Sequence, residues 1–311
     1  MTDPHSDTRD LDGTDTDQLT LQNPVTRYPA ISPPEQHQDE PGLESRTIPR
    51  PDIGQHSYRG TGRLAGRRAL VTGGDSGIGA AVAIAFAREG ADVAITHLPA
   101  EDPDAREIVR IITETGRTAI ALAGDLTDPQ FCAGAAHEAA QLLGGLDIVV
   151  NNAGKQVVAD SLDALTDEQI EQTFQTNIVA MFRLTRAALT ELGPGATIVN
   201  TTSIEAYMPS PVLLDYASTK SAINNFTKGL AQQIAADGIR VNAVAPGPIW
   251  TPIQPTDGQP KEKLPHFGHN TALGRAGQPT ELAPAYVFLA SAESSYVTGA
   301  TIHVNGGMPS P

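Results

Sequence analysis

The stretch Ala69–Gly90, "ALVTGGDSGIGAAVAIAFAREG", decides the fold. A short apolar run leads into a cluster of glycines, and an almost wholly apolar helical segment follows. Gly73, Gly77 and Gly79 follow the pattern T-G-x-x-x-G-x-G. Glycines let such a turn close tightly, let backbone N–H groups approach a pyrophosphate, and let the helix pack on the strand. The opening helix offers unsatisfied N–H groups and a positive dipole end to an anion. A strand before and a helix after are the context that turns a glycine cluster into a dinucleotide site. Asp75, Ser76 and Ile78 complete the loop and are expected at the cofactor with the glycines.

Outward from this unit the pattern repeats. Short apolar strands are readable at "RALVT", "DVAIT", "TAIAL", "LDIVV", "ATIVNTTS", "IRVNAVAP" and "ATIHV", with helical patterns between them. That alternation predicts an α/β fold: a doubly wound, seven-stranded parallel sheet with helices on both faces. Strands apolar on both faces, such as the one ending at Val150, suit a sheet covered on both sides. Asp125, in "GDLTD", falls at a strand's carboxyl end, where open α/β sheets bind ligands. Asn151–Gly154, "NNAG", follows the next strand and reads as a wall for the middle of a cofactor; Asn151 equally suits a tie between strands.

Residues 1–58 differ in kind. They hold 11 acids and 4 bases, nearly half of the chain's net charge of −15, and few large apolar side chains. Such a segment reads as an extended or disordered acidic arm ahead of one domain, 59–311. The acidic balance and the lack of a basic stripe argue against nucleic-acid binding. No apolar run reaches the roughly 18 residues that cross a bilayer, so no membrane partner is expected. Cys132 is the only cysteine, which excludes an intrachain disulfide, and the polar N-terminus is unlike a secretory signal. A cytoplasmic protein is expected.

The reacting groups come from "SIEAYMPSPVLLDYASTK", Ser203–Lys220. Of six tyrosines only Tyr216 has a lysine four residues on, which places phenol and ammonium on one helical face. Asp215 reads as that helix's N-cap and Gly238 as its stop. A free tyrosine titrates near 10 and is a poor base at neutral pH. An ammonium about 4 Å away would favour the phenolate by about 4 kcal/mol at an effective dielectric of 20. Tyr216 could then exchange a proton with a substrate oxygen that Ser203 holds by a hydrogen bond. Asn177 falls inside the apolar stripe of Ile170, Phe174, Ile178, Met181 and Leu184. It is either a satisfied core amide or an anchor for a water leading to Lys220.

Together these residues resemble the short-chain dehydrogenase/reductase family, in its compact single-domain branch. The resemblance runs from about Leu64 to Gly307 and rests on "TGGDSGIG", "NNAG", Asn177, Ser203, "YASTK" and "PGPIWT" in order. It implies a Rossmann fold and a catalytic tetrad of Asn177, Ser203, Tyr216 and Lys220, with the tyrosine as acid/base and the lysine also on the nicotinamide ribose. It implies that Asp125 and Leu126 border the adenine. Asn152, Ala153, Gly154, Ile249 and Thr251, with Pro246 and Gly247 before them, would border the ribose and nicotinamide. The lead-in "PGLESRTIPRPDIGQHSYRGTGRLAG" is similar to a bacterial subgroup described as glucose/ribitol-dehydrogenase-like or general-stress oxidoreductases, some of them NADP-dependent aldehyde reductases. A homo-oligomer, commonly a tetramer, is implied by the same resemblance.

Coenzyme and substrate are less sharply written. The second strand ends "ITHLPAED", so His97 and Leu98 stand where an acid would bind the ribose 2′-hydroxyl of NAD. That leans toward NADP(H), although Asp75 stands in the loop where NADP-binding relatives often carry a base. Residues 246–278 read as a mobile substrate lid carrying Trp250 and Phe267. Gln156, Tyr207, Met208 and Val212 are pocket-wall candidates around Ser203 and Tyr216. Their largely apolar character suits a small aldehyde, ketone or alcohol. His266 and His269 lack a neighbouring acid or cysteine, so no metal is assigned. A non-catalytic NAD(P)-sensing or scaffold protein is the alternative on this fold. A lyase or epimerase would want a larger substrate domain.

Overall fold

The computed structural model describes residues 17–310; the first part of the acidic arm lies outside the described residues. Seven strands form one parallel sheet: β1 (Arg68–Thr72), β2 (Asp92–His97), β3 (Ala119–Ala123), β4 (Ile148–Asn151), β5 (Thr197–Thr201), β6 (Arg240–Pro246) and β7 (Thr301–Val304). Each coincides with one of the apolar runs read from the sequence. Their spatial order is β3-β2-β1-β4-β5-β6-β7. Winding runs outward from β1 in one direction and from β4 in the other, so a crevice opens at the carboxyl ends of these two strands.

Alternation along the strands feeds two cores. Val71, Ile95, Val150, Val199 and Val244 face one side, against α1 (Gly77–Arg88), α2 (Asp102–Glu114) and α7 (Pro279–Ala290). Leu70, Ala94, Val149, Ile198 and Val241 face the other, against α3 (Pro129–Leu143), α5 (Ala180–Ala188) and α6 (Leu214–Ile234). Successive side chains point to opposite faces, so a continuous apolar run serves both layers. Helix α1 is buried from Gly79 through Ala87, which explains its apolar character all round.

The arm contributes to this core. Ile53 and Tyr58 are buried beside α1, and the Tyr58 hydroxyl donates to Glu89 Oε1 at 2.8 Å. Residues 17–58 run as irregular, extended chain with one 3-10 turn at Glu44–Arg46. They fasten the 246–278 segment: Gln38 N–H donates to Pro255 O (3.0 Å), Ser32 Oγ to Pro265 O (2.9 Å), and Arg275 Nη2 to Pro24 O (2.8 Å). Trp250, expected on a mobile lid, is fully buried there with Leu264 and Ala276, and its indole N–H donates to Pro49 O at 2.7 Å. No helix among the described residues is long and apolar enough to cross a membrane.

Candidate active site

A cleft of about 1370 Å³ follows the carboxyl edge of the sheet. It is lined by the glycine loop, the ends of β2 to β6, the start of α6 and the 246–278 segment. Its size exceeds that of an ordinary small-ligand pocket and suits a dinucleotide together with a second molecule.

At the glycine loop, Gly73 and Gly77 have φ of 58° and 50°, a region that favours glycine. A side chain on Gly79 would overlap Gly73 O, so this glycine sets how closely helix meets strand rather than lining the cleft. Ser76 precedes α1 without capping it, which leaves the helix's first amides to other partners. The β4 end is pinned to this loop: Asn152 and Ala153 N–H donate to Thr72 Oγ1 at 2.8 and 3.0 Å. Asn151 lies behind, its amide donating to Asn200 Oδ1 (2.8 Å) and Thr185 Oγ1 (3.0 Å), so it ties strands and helix together. Asp75, Ser76, Gly77, Ile78, His97, Leu98, Asp125 and Leu126 all line the cleft. So do Asn152–Gly154, Pro246, Gly247, Ile249 and Thr251. The glycine cradle and the long cleft fit a dinucleotide, while Gly77 N–H at the helix start donates to Glu44 Oε2 at 3.0 Å.

Tyr216 and Ser203 meet on the cleft wall. Ser203 Oγ accepts from Glu205 N–H at 3.1 Å, which leaves its proton for another acceptor. Burial pushes the Tyr216 phenol above its ordinary value; a hydrogen bond with Ser203 draws it down and the Glu205 carboxylate pushes it up. Lys220 Nζ stands 5.3 Å from the Tyr216 ring centroid and donates to Thr201 O at 3.1 Å. Burial draws the Lys220 ammonium down to about 8. The ammonium thus stands over the phenol ring, as four-residue spacing on one helical face predicts. Without another cation it leaves the tyrosine protonated.

Asn177 sits in one turn of π helix, Gln175–Val179, between α4 (Asp167–Phe174) and α5. Such turns are frequent at functional sites, and the apolar periodicity did not reveal this one. The amide is saturated on one side: Nδ2 donates to Lys155 O (2.9 Å) and Thr219 Oγ1 (3.0 Å), while Oδ1 accepts from Lys155 N–H (2.7 Å). A methyl group on Gly154 would stand 3.5 Å from Asn177 Oδ1 and 3.6 Å from Lys220 Nζ, so both face one small space. Asn177 thus fixes the segment leaving β4, and its Oδ1 borders the same small space as Lys220 Nζ.

Several residues stand differently from their sequence reading. Tyr207 does not line the cleft; the 3-10 turn Ile204–Ala206 turns its ring onto His303, 4.8 Å between centroids. Gln156 lines the cleft, but its Nε2 already donates to Gly258 O at 2.7 Å. Asp215 is no N-cap: it lies inside α6 and accepts from Thr173 Oγ1 at 2.7 Å, joining α4 to α6. Gly238, at φ 74°, does end that helix after one 3-10 turn. Among the described residues no group of three or more His, Cys, Asp or Glu is arranged to hold a metal. His269 Nε2 instead meets Ile31 O at 3.0 Å.

Sequence reasoning missed Glu205 and the three acids, Glu44, Glu101 and Asp104, that gather around Asp75. Glu205, two residues past Ser203, lines the cleft and accepts from Ser210 N–H at 2.6 Å. At the opposite end of the cleft, Glu101 and Asp75 stand beside β2's last residue, backed by Glu44 and Asp104. Only proximity to Ser203 in sequence could have signalled the first. Nothing local signals that the other three would join Asp75.

A family model described as enoyl-(acyl carrier protein) reductase matches residues 73–309. An uncharacterized oxidoreductase of Escherichia coli, YghA, is 55% identical over 92% of this chain and 98% of its own length. Glucose and ribitol dehydrogenase of Daucus carota is 44% identical, covering 88% of this chain and 96% of its own. A short-chain dehydrogenase of Burkholderia cenocepacia, solved in complex with NADP, superposes with a TM-score of 0.73 at 38% identity, over 79% of this chain and 98% of its own. A blue fluorescent protein from a metagenomic library, solved with NADPH, gives 0.74 at 35% identity, over 80% of this chain and 100% of its own. With sheet order, glycine loop and cleft in agreement, the chain belongs to the short-chain dehydrogenase/reductase family of oxidoreductases.

Proposed function

We propose that this protein is a nicotinamide-dinucleotide-dependent dehydrogenase/reductase that interconverts a small aldehyde or ketone with its alcohol. The observation that carries this reading is the meeting of Tyr216 and Ser203 on the cleft wall, with Lys220 buried behind them. The coenzyme, as NAD(H) or NADP(H), supplies or accepts the hydride. The glycine loop and the Asn152–Gly154 turn hold it along the carboxyl edge. Ser203, whose Oγ accepts from Glu205 N–H, turns its O–H from Tyr216 to the substrate oxygen. Tyr216 gives its proton to that oxygen in reduction and takes it back in alcohol oxidation.

Reduction suits the group as it stands, because burial keeps Tyr216 protonated. Oxidation needs the phenolate, which the Lys220 ammonium favours. Lys220 passes its proton toward the space that Asn177 Oδ1 also faces, and so toward solvent. Met208 and Leu213 on the cleft wall are apolar, which favours a small carbonyl compound, while Glu205 accepts hydrogen bonds from any hydroxyl beside it.

The test is purified protein with an aldehyde and ketone panel and reduced coenzyme, followed at 340 nm. Turnover that falls at least a thousandfold in Tyr216→Phe, with coenzyme binding retained, supports the reading. Tight coenzyme binding without turnover of any substrate would favour the sensor or scaffold reading instead.

A further inference from the structure

We infer that residues 38–43 of the N-terminal arm are a moving part of the coenzyme site: a strap, latched by Glu40 on Lys155, that must lift for the dinucleotide to enter or leave. The inference rests on the proposal that the cleft binds a nicotinamide dinucleotide. In a doubly wound fold such a ligand crosses from the glycine loop to the crevice where the winding reverses. The 246–278 segment closes over this path. A Cβ on Gly77 would stand 3.0 Å from Thr251 Cγ2, so the segment already rests on the glycine loop, and Thr251, Gln254 and Thr256 are buried. The family model begins only at residue 73, so the strap lies outside the part of the chain that it matches.

The strap lies against that segment and joins the cleft lining with Glu40, Pro41 and Gly42. Gln38 N–H donates to Pro255 O at 3.0 Å, and a side chain on Gly42 would overlap Thr256 Oγ1, so glycine lets the two chains come this close. Glu40 pairs with Lys155 Nζ through both carboxylate oxygens. Lys155 is the residue whose backbone Asn177 clamps on both sides, its N–H at 2.7 Å and its carbonyl oxygen at 2.9 Å. One ion pair therefore joins the arm to the turn leaving β4, which borders Lys220.

Gln38 makes the strap a unit. Its side chain accepts from Leu43 N–H at 2.9 Å and donates to Leu43 O at 3.2 Å and Thr47 Oγ1 at 3.1 Å, which closes the loop on itself. The far end is fixed: Glu44 accepts from Gly77 N–H, and Asp104 accepts from the N–H groups of Glu44 and Ser45. The near end is looser, with Asp39 exposed and His37 Nδ1 3.6 Å from Asp257 Oδ1. Among the described residues, lifting the strap breaks one backbone hydrogen bond, one part-exposed ion pair and the Gly42 contact, while Ile53 and Tyr58 keep the rest of the arm buried. The segment beneath is bent at Asp257, whose φ of 58° is the only left-handed backbone at a non-glycine residue among those described. Releasing the strap frees that bend to relax.

A reversible crosslink tests the strap directly. A Cβ on Gly42 would lie 3.1 Å from Thr256 Cβ, within a few tenths of an ångström of the roughly 3.5–4.5 Å between these atoms in a disulfide. Cys132, the only native cysteine, is buried. Binding and release of NADH and NADPH are followed by stopped-flow fluorescence in full-length protein carrying Gly42→Cys and Thr256→Cys, oxidised and then reduced with dithiothreitol. Oxidation is expected to slow entry and exit alike, by about tenfold or more, with Kd nearly unchanged, because a gate acts on both directions. Glu40→Gln should speed both about threefold, the size of a part-exposed ion pair. It should also remove most of the acceleration that wild type shows on raising salt to roughly 0.5 M. Equal rates in the oxidised and reduced forms overturn the inference and leave the dinucleotide reading intact. So does an oxidised form that binds more weakly but takes up coenzyme as fast as the reduced one. Should the double variant fail to fold or to crosslink, Glu40→Gln decides, and wild-type rates with the wild-type salt response overturn the latch. If wild type binds neither coenzyme, the dinucleotide reading falls and the strap with it.

Discussion

Replacing Lys220 by Met isolates what the ammonium does to Tyr216. Nζ lies 5.3 Å from the phenol ring. For unit charges about 5 Å apart at an effective dielectric of 20, the ammonium's preference for phenolate over phenol is about 3 kcal/mol. At 1.36 kcal/mol per pH unit, its loss should move the tyrosine's ionisation up by about two pH units. Methionine keeps the stem's packing, and Thr201 O, which loses its donor, stands at the β5 end where water can reach from the cleft. The assay is kcat/KM for alcohol oxidation as a function of pH, with coenzyme affinity measured separately by fluorescence. Oxidation needs the phenolate, so kcat/KM rises with pH, and the variant's rise should begin about two pH units higher. Because the lysine itself titrates near 8, the wild-type limb belongs to the Tyr216–Lys220 pair and should be broader than a single ionisation. A variant with a lowered plateau but an unmoved limb would refute the electrostatic argument. Lys220 would then act through coenzyme binding alone.

Glu89 gives a stability prediction with a definite sign. Burial pushes its carboxyl up, but Arg63, the N–H groups of Arg63 and Thr61, and Tyr58 outweigh this and hold it at about 2. Its contribution, about 3 kcal/mol from the displacement below the ordinary value of 4.5, is therefore complete above pH 4.5 and is lost as pH falls through 2. The stability gap between wild type and Glu89→Gln in urea melts should shrink between pH 7 and pH 3; a constant gap would contradict the assignment. Gly79→Ala forces a methyl group onto Gly73 O and should cost about 1–3 kcal/mol and weaken coenzyme binding. An unchanged urea midpoint would show that the helix can recede freely. Phe182, 51% exposed on α5, stacks on Phe226 of α6 with centroids 4.4 Å apart. If that face joins copies of the chain, native mass should fall to that of a smaller species in Phe182→Asp; an unchanged mass excludes this face as the interface.

Tyr216 and Tyr207 show how far local sequence carries an argument about chemistry. Tyr216 is distinguished by the lysine one helical turn on, and the structure keeps both in one buried group with Ser203. Tyr207 looks equally available in the linear chain. The direction of its ring depends on a 3-10 turn and on His303, which arrives from β7 nearly a hundred residues later. Asn151 and Asn152 divide similarly: the strand's pleat sends one amide between strands and the other to the glycine loop. Asn177 could be seen to be out of place in its apolar stripe. Its partners, Lys155 and Thr219, could not.

By itself the sequence determined the seven strands, the glycine loop, the order of the helices and the candidates for the reacting groups. These are properties of short segments, in which periodicity and turn chemistry act over a few residues and leave a local record. Tertiary structure alone decided that the arm is woven into the core, that Trp250 is a buried anchor, and that Glu44, Asp75, Glu101 and Asp104 meet at the β2 end. Those four acids span some sixty positions and share no local pattern. What brings them together is the packing of arm, loop and α2 around the start of α1, and what holds them there is hydrogen bonding to backbone N–H groups. Periodicity tells which way a side chain faces within its own element. Which elements then face each other is settled by the fold, and here that settles the electrostatics of the cleft.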